Sequence, residues 1–180
     1  MIKKFINKLL GKSTPGTSGG KPHFGKREEV PASVHGINPE LVDRRAADVV
    51  ATLKQAGFEA YIVGGAVRDL LLGLRPKDFD VATNATPEQV KGLFRRAFII
   101  GKRFRIVHVV HGRGREHEVI EVSTFRAYLD NAAAGQVAGN EKTSKAQLSG
   151  MQHAVDASGR VLRDNVWGPQ DEDATRRDFT

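Results

Sequence analysis

Residues 61–69 read YIVGGAVRD and residues 78–80 read DFD, with eight residues between the two segments. The apolar run that ends at Val63 is short and rich in residues that favour β-strands. A glycine pair follows it, and residues 66–72 then show a helical pattern that ends at Gly73. The sequence therefore predicts a strand, a glycine turn and a short helix, in that order.

The glycine turn has the features of a phosphate-binding site. Gly64 and Gly65 let the backbone approach a polyphosphate closely, and the first N–H groups of a helix favour anions. Arg68, one turn into the helix, adds a planar fork of donors for phosphate oxygens. Many strand-to-helix turns use glycine for geometry alone, so the turn by itself is weak evidence.

The two aspartates of the DFD segment are expected on a second strand. Because side chains alternate along a strand, Asp78 and Asp80 would share one face. Phe79 and Val81 would then point into the core. Such a pair suits Mg²⁺, which usually takes one or two protein carboxylates plus substrate phosphates. Acidic pairs alone are mostly solvated, but this pair beside a phosphate-binding turn predicts nucleotidyl transfer.

Longer segments around these motifs resemble the head domain of the class II nucleotidyltransferases. The matching segments are residues 61–73, 76–87, 99–109, 118–126 and 176–180. This family contains the bacterial poly(A) polymerases and the CCA-adding tRNA nucleotidyltransferases. The resemblance implies an α+β, polymerase-β-like fold, with a mixed central β-sheet flanked by helices, over residues 35–180.

The basic segment at residues 101–109 separates the two branches of this family. Together with the strand at residues 121–126, it is similar to the poly(A) polymerase pattern, whereas the CCA-adding branch typically has a less basic segment there. One departure is Lys102, since arginine is usual at that position. The resemblance therefore favours the poly(A) polymerase branch, with the CCA-adding branch as the alternative.

Three further residues are candidates for the site. Glu121 lies in a strand that could pair beside the aspartates, where a third carboxylate could bind metal or act as general base; the alternative is an exposed strand residue. The resemblance implies a catalytic role for Asp178 and nucleotide contact for Arg177. The alternative for these two is a charge cluster at a helix end.

Basic residues are unevenly distributed in a chain whose formal net charge is +7. No acidic residue occurs across residues 91–105, and we expect Lys102, Arg103 and Arg105 in that stretch to bind RNA. The alternative for the cluster is a surface that only confers solubility. Residues 1–30 carry seven basic residues against two acidic ones, a net charge of +5.

That basic segment is part of a predicted N-terminal arm over residues 1–34. It is rich in Gly, Ser, Thr and Pro, so we expect it to be disordered and to strengthen polyanion binding. Its first ten residues form a basic amphipathic pattern that could make a weak contact with a membrane surface or resemble a transit peptide. A helix this short is marginal in water, so an unstructured leader is favoured.

Composition is that of an ordinary intracellular domain. The 180 residues are 39% hydrophobic and 27% charged, and they contain no cysteine, which excludes disulfides and thiolate metal sites. No apolar run approaches the roughly 18 residues that a membrane span needs. We expect a cytoplasmic protein.

The other elements follow from periodicity and turn residues. Helices are predicted over residues 38–57 and 87–94, and strands over residues 104–110 and 119–124. Residues 130–159 are small and polar without a sustained period, so we expect a mobile loop.

Four histidines and one tryptophan receive no chemical role. The histidines lack metal-ligand spacing, and Trp167 is most simply a packing residue. The four histidines are His108, His111, His117 and His153.

The resemblance implies a two-metal reaction in which an RNA 3′-hydroxyl attacks ATP and AMP is added. Asp78 and Asp80 would hold Mg²⁺, and the glycine turn would hold the phosphates. Family members continue into neck and body regions that are absent here. A second hypothesis is therefore an RNA-binding head without turnover.

Overall fold

The fold is built on a five-stranded mixed sheet that has helices against one of its faces. The computed structural model describes residues 27–102, 104–113, 116–127, 135–137, 153–156 and 161–179. The helices are α1 (Ala32–His35), a 3-10 helix (Pro39–Leu41), α2 (Arg44–Gln55), α3 (Gly65–Leu71), α4 (Pro87–Leu93) and α5 (Gln170–Ala174). The strands are β1 (Ala60–Val63), β2 (Asp80–Thr83), β3 (Ala97–Ile100), β4 (Ile106–Arg113), β5 (Glu116–Thr124), β6 (Gly135–Val137), β7 (His153–Asp156) and β8 (Val161–Asp164).

Strand order explains why distant parts of the sequence meet. The large sheet runs β1-β2-β5-β4-β3. β2 and β5 are parallel, and the other neighbours in this sheet are antiparallel. A smaller sheet has the order β6-β7-β8. The mixed central sheet implied by the sequence is confirmed.

The core lies between the helices and one face of the large sheet. α2 packs against β1 and β2, and α4 packs against β3, β4 and β5. Buried apolar side chains of these elements form one cluster. Its members are Ala46, Val49, Leu53, Ala60, Ala66, Leu70, Phe79, Val81, Ala85, Val90, Ala97, Val107, Val109, Ile120 and Val122. Since side chains alternate along strands, residues between these positions lie on the opposite face.

The helix predicted over residues 38–57 is divided in two. Asn38 accepts the Glu40 N–H and begins the 3-10 helix, whereas Asp43 accepts the Arg45 N–H at 2.8 Å and begins α2. Each cap satisfies a backbone donor that a helix start leaves without a partner. Two capping residues therefore produce two helices.

The helices α3 and α4 lie close to the positions predicted for them. Gly73 has a φ of 72° just beyond α3, a left-handed conformation that favours glycine. α4 begins with a capping box in which Thr86 and Gln89 satisfy each other's backbone N–H groups. Local sequence is sufficient to set these boundaries.

Several other expectations need correction. Strand β3 and helix α5 were not predicted, and β6 and β7 lie within the residues 130–159 that were expected to form a loop. α1 lies at the end of the predicted arm, whose residues 1–26 are outside the described part of the chain. Across the residues described, no helix has the length and apolar character needed to span a bilayer.

The α2 cap gives a test of stability. The Arg45 side chain hydrogen-bonds Asp43 and lowers the pKa of that carboxyl from 3.8 to about 2. Replacement of Asp43 by Ala is expected to lower the free energy of unfolding by about 1 kcal/mol at pH 7. The charged contribution is complete above pH 3.8 and is lost as the pH falls through about 2, because the folded-state pKa is the lower one.

Urea unfolding of both proteins, followed by circular dichroism at pH 7 and pH 3, measures this difference. Asp43→Asn is the control, since its amide oxygen still caps the helix while the titration is lost. An Asp43→Ala protein as stable as the parent at pH 7 would contradict the assignment.

Candidate active site

Asp80 and Glu121 lie side by side on the open face of the large sheet and form what we call the acidic row. Asp80 opens β2, and its register partner across the parallel pair is Glu121 of β5. Glu121 is in turn the register partner of His108 on β4. The strand pairing thus places Glu121 beside Asp80, as predicted.

The residues around Asp80 fix its orientation. Phe79 is 5% exposed and Val81 is fully buried, so both point into the core as predicted. Asp80 therefore points to the opposite face. Because β2 begins at Asp80, Asp78 lies on the preceding segment and is exposed, which corrects the expectation that both aspartates lie on the strand.

Electrostatics in this row favour a cation. Burial raises the pKa of Asp80 above its ordinary value of 3.8, and the nearby negative charges of Glu121 and Asp78 raise it further. Arg177 opposes these effects. Within the part of the chain that the structure describes, no group of three or more His, Asp or Glu residues is arranged to hold a metal ion. An acid pair without a third ligand still fits Mg²⁺, since substrate phosphates and water normally complete its coordination.

The glycine turn lies directly beside Asp80. Gly64 has φ 71° and ψ −140°, and a Cβ added there would lie 3.6 Å from Oδ2 of Asp80. Gly65 begins α3, and Arg68 forms an exposed ion pair with Asp69 at 2.8 Å. The predicted phosphate-binding turn and the predicted metal ligand are therefore adjacent.

The C-terminal segment completes this region. The Gly64 N–H donates to the Phe179 carbonyl at 2.9 Å, which joins the segment to the glycine turn. Arg177 donates from Nε to Asp173 Oδ2 at 2.7 Å and from Nη2 to Ser123 Oγ at 3.0 Å. These contacts hold the Arg177 guanidinium near Asp80.

Asp173 is a residue that the sequence did not single out. It is only 4% exposed, and besides Arg177 it accepts the backbone N–H of Arg126 at 2.9 Å. One buried carboxylate therefore ties α5 to the end of β5. A buried charge is tolerated when it is paired and hydrogen-bonded in this way.

A cleft of about 260 Å³ opens over the acidic row. It is lined by Asp80, Ile106, Glu121, Ser123, Arg126, Asp173, Arg176 and Arg177. Acids and arginines thus share one opening, a combination suited to a ligand that carries both metal ions and phosphates. Asp178 is exposed and is not among the residues that line the cleft.

Of the basic residues expected to bind RNA, Lys102 and Arg105 do not line the cleft. Arg105 bonds to Glu88 of α4, on the helix-covered side of the sheet, and this hydrogen bond lowers the pKa of Glu88. Ile106 lines the cleft, so the preceding side chain faces away from it. The Arg105 side chain therefore lies on the face of the sheet opposite the acids. Lys102 is exposed, and Arg103 lies outside the described residues.

A mixed sheet with an acid pair beside a glycine turn is the architecture of a nucleotidyltransferase head domain. The sequence profile described as the poly A polymerase head domain matches residues 60–180. The chain belongs to this family.

Curated relatives agree with this assignment. Poly(A) polymerase I of Salmonella typhi is 41% identical over 99% of this chain and 34% of its own length. Poly(A) polymerase I of Haemophilus influenzae is 47% identical over 84% of this chain and 29% of its own length. The CCA-adding enzyme of Bacillus pumilus is 37% identical over 73% of this chain and 33% of its own length. The chain thus spans about a third of these relatives.

The raised pKa of Asp80 predicts that this residue destabilises the fold at neutral pH. A carboxyl whose folded-state pKa is raised contributes stability below pH 3.8 that is lost as the pH rises through the folded value. Asp80→Asn should therefore raise the melting temperature at pH 7 in chelator, and the gain should disappear toward pH 3.8.

Thermal unfolding by circular dichroism measures this effect. Asp48→Asn is the matched control, because Asp48 is an exposed aspartate on α2, and it should leave the melting temperature unchanged. A lower melting temperature for Asp80→Asn at pH 7 would refute the destabilisation assigned to the Asp80 carboxylate.

Proposed function

We propose that this chain is the catalytic head of a template-independent RNA 3′-end nucleotidyltransferase that adds AMP from ATP. The observation that carries the proposal is the Asp80 carboxylate, which lies beside the Gly64 turn and in register with Glu121. Membership of the poly A polymerase head family supports the reaction class, and poly(A) polymerase I relatives support ATP as donor and RNA as acceptor.

Each part of the site has a distinct task in this proposal. Asp80, with Asp78 beside it, holds divalent metal at the open face of the sheet. Glu121 contributes the third negative charge, as a further ligand or as the base for the attacking hydroxyl. Mg²⁺ would supply activation of the RNA 3′-hydroxyl and neutralise charge as pyrophosphate leaves.

The cationic side of the cleft binds the triphosphate. Arg177 is held by Asp173 and Ser123 with its guanidinium toward Asp80, so it can bind a phosphate oxygen without a change of rotamer. Gly65 and Arg68 lie at the start of α3, where backbone and side-chain donors favour phosphate. Fixed donors of this kind orient the α-phosphorus for in-line attack, which is positioning and electrostatics.

Asp178 and Lys102 are two further candidates in this proposal. Asp178 follows Arg177 on the segment joined to the glycine turn, and a catalytic role would need its side chain to turn toward the cleft. Lys102 is exposed at the turn after β3 and is a candidate for phosphates of the RNA backbone. The loss of affinity on Lys102 replacement should not depend on RNA sequence.

Primer extension tests the proposal. With Mg²⁺, labelled ATP and a short RNA, the chain should add AMP, and Asp80→Ala should remove activity to the detection limit because the metal site is lost. Chelator should have the same effect on the unchanged chain. Asp48→Ala is the control for a surface aspartate and should keep full activity.

The same assay separates the alternatives. Incorporation of CTP into a tRNA that lacks its 3′ end would support the CCA-adding function, to which the Bacillus pumilus relative belongs. RNA binding without extension would support a head that lacks turnover. Extension that persists in Asp80→Ala would refute the assigned metal site.

A further inference from the structure

His108 lies next to the acidic row, on the far side of Glu121 from Asp80, although no sequence pattern gave it a role. It lies on β4 opposite Glu121, and its Nε2 is 3.3 Å from Oε1 of Glu121. The imidazole is 29% exposed and the Glu121 side chain is 52% exposed. His108 is not among the residues that line the cleft, so its contact with the site is through Glu121.

Glu121 has a reason to need such a partner. It lies between Asp80 and His108 in adjacent strands, which in a sheet are about 4.8 Å apart. Its charge is repelled by Asp80, whose pKa is raised first by burial and then by the charge of Glu121. A half-exposed glutamate can also rotate into solvent, and fixing it costs rotamer entropy.

From this geometry we propose that His108 is a positioning residue that holds the Glu121 carboxylate in the row beside Asp80. In this arrangement the imidazole Nε2 faces Oε1, one of the two carboxylate oxygens of Glu121. The inference rests on the proposed function, in which Glu121 supplies the third negative charge. It adds the residue that keeps this charge in place.

A competing explanation is that His108 only packs the open face of the sheet. A packing residue would change stability, whereas a positioning residue changes the metal affinity of the acids and does so only when Glu121 is present. Residues that orient metal ligands typically change affinity by about 10- to 100-fold. A double-mutant cycle between His108 and Glu121 therefore separates the two roles.

Manganese is a suitable probe, because free Mn²⁺ is measured directly by electron paramagnetic resonance. The 180-residue chain and its variants are titrated with Mn²⁺ in the absence of nucleotide. We expect His108→Leu to weaken Mn²⁺ binding by roughly tenfold. His108→Gln, whose amide can donate to Glu121, should recover most of this loss.

The cycle is completed by Glu121→Gln alone and together with His108→Leu. In the Glu121→Gln background the His108 change should have no further effect. His111→Leu is the matched control, because it is the same change on the same strand but on the other face, and it should leave Mn²⁺ affinity unchanged. If His108→Leu does not fold, His108→Asn, which is too short to reach Glu121, takes its place.

The outcomes distinguish this inference from the proposed function. An unchanged chain that binds no Mn²⁺, or an Asp80→Asn chain that binds it normally, overturns the metal site itself. Normal Mn²⁺ binding by the chain and by His108→Leu overturns the inference alone. Tighter binding by His108→Leu, or an equal loss with and without Glu121, also overturns it.

Discussion

The parallel pairing of β2 with β5 is the constraint on which this site depends. It places Asp80 beside Glu121, although the two are 41 positions apart in sequence. A parallel pair needs a long crossover, and α4, β3 and β4 provide it. The crossover also brings His108 to the far side of Glu121. One strand pairing therefore creates the acid pair and supplies its neighbour.

Local sequence was sufficient for the parts of the site that lie close together in the chain. The strand, glycine turn and helix over residues 60–73 are set by an apolar run, two glycines and a helix stop, all within 14 consecutive residues. Burial of Phe79 and Val81 followed from strand alternation. Even here the exact start of β2 was missed, because an isolated aspartate carries no sign of where backbone pairing begins.

Contacts between distant segments were beyond the sequence. Asp173 gave no sign of burial, because its partner Arg126 is 47 positions away and meets it only in the folded chain, although Arg177 is a local partner four positions along. RNA binding was expected of Arg105 from local charge, which carries no sign of its ion pair with Glu88, 17 positions away. Net charge of a segment says how strongly a surface attracts anions, but strand alternation decides which face each cation occupies.

The hydrogen bond from Gly64 to Phe179 links the glycine turn to the C-terminal segment. Its acceptor belongs to the same segment as Arg177, so a backbone hydrogen bond joins the bend beside Asp80 to the segment that carries the arginine. Separation of that segment from the bend would remove the acceptor of the Gly64 amide and open this amide to proton exchange with solvent. The exchange rate of the Gly64 amide proton would therefore report whether the C-terminal segment is bound to the glycine turn.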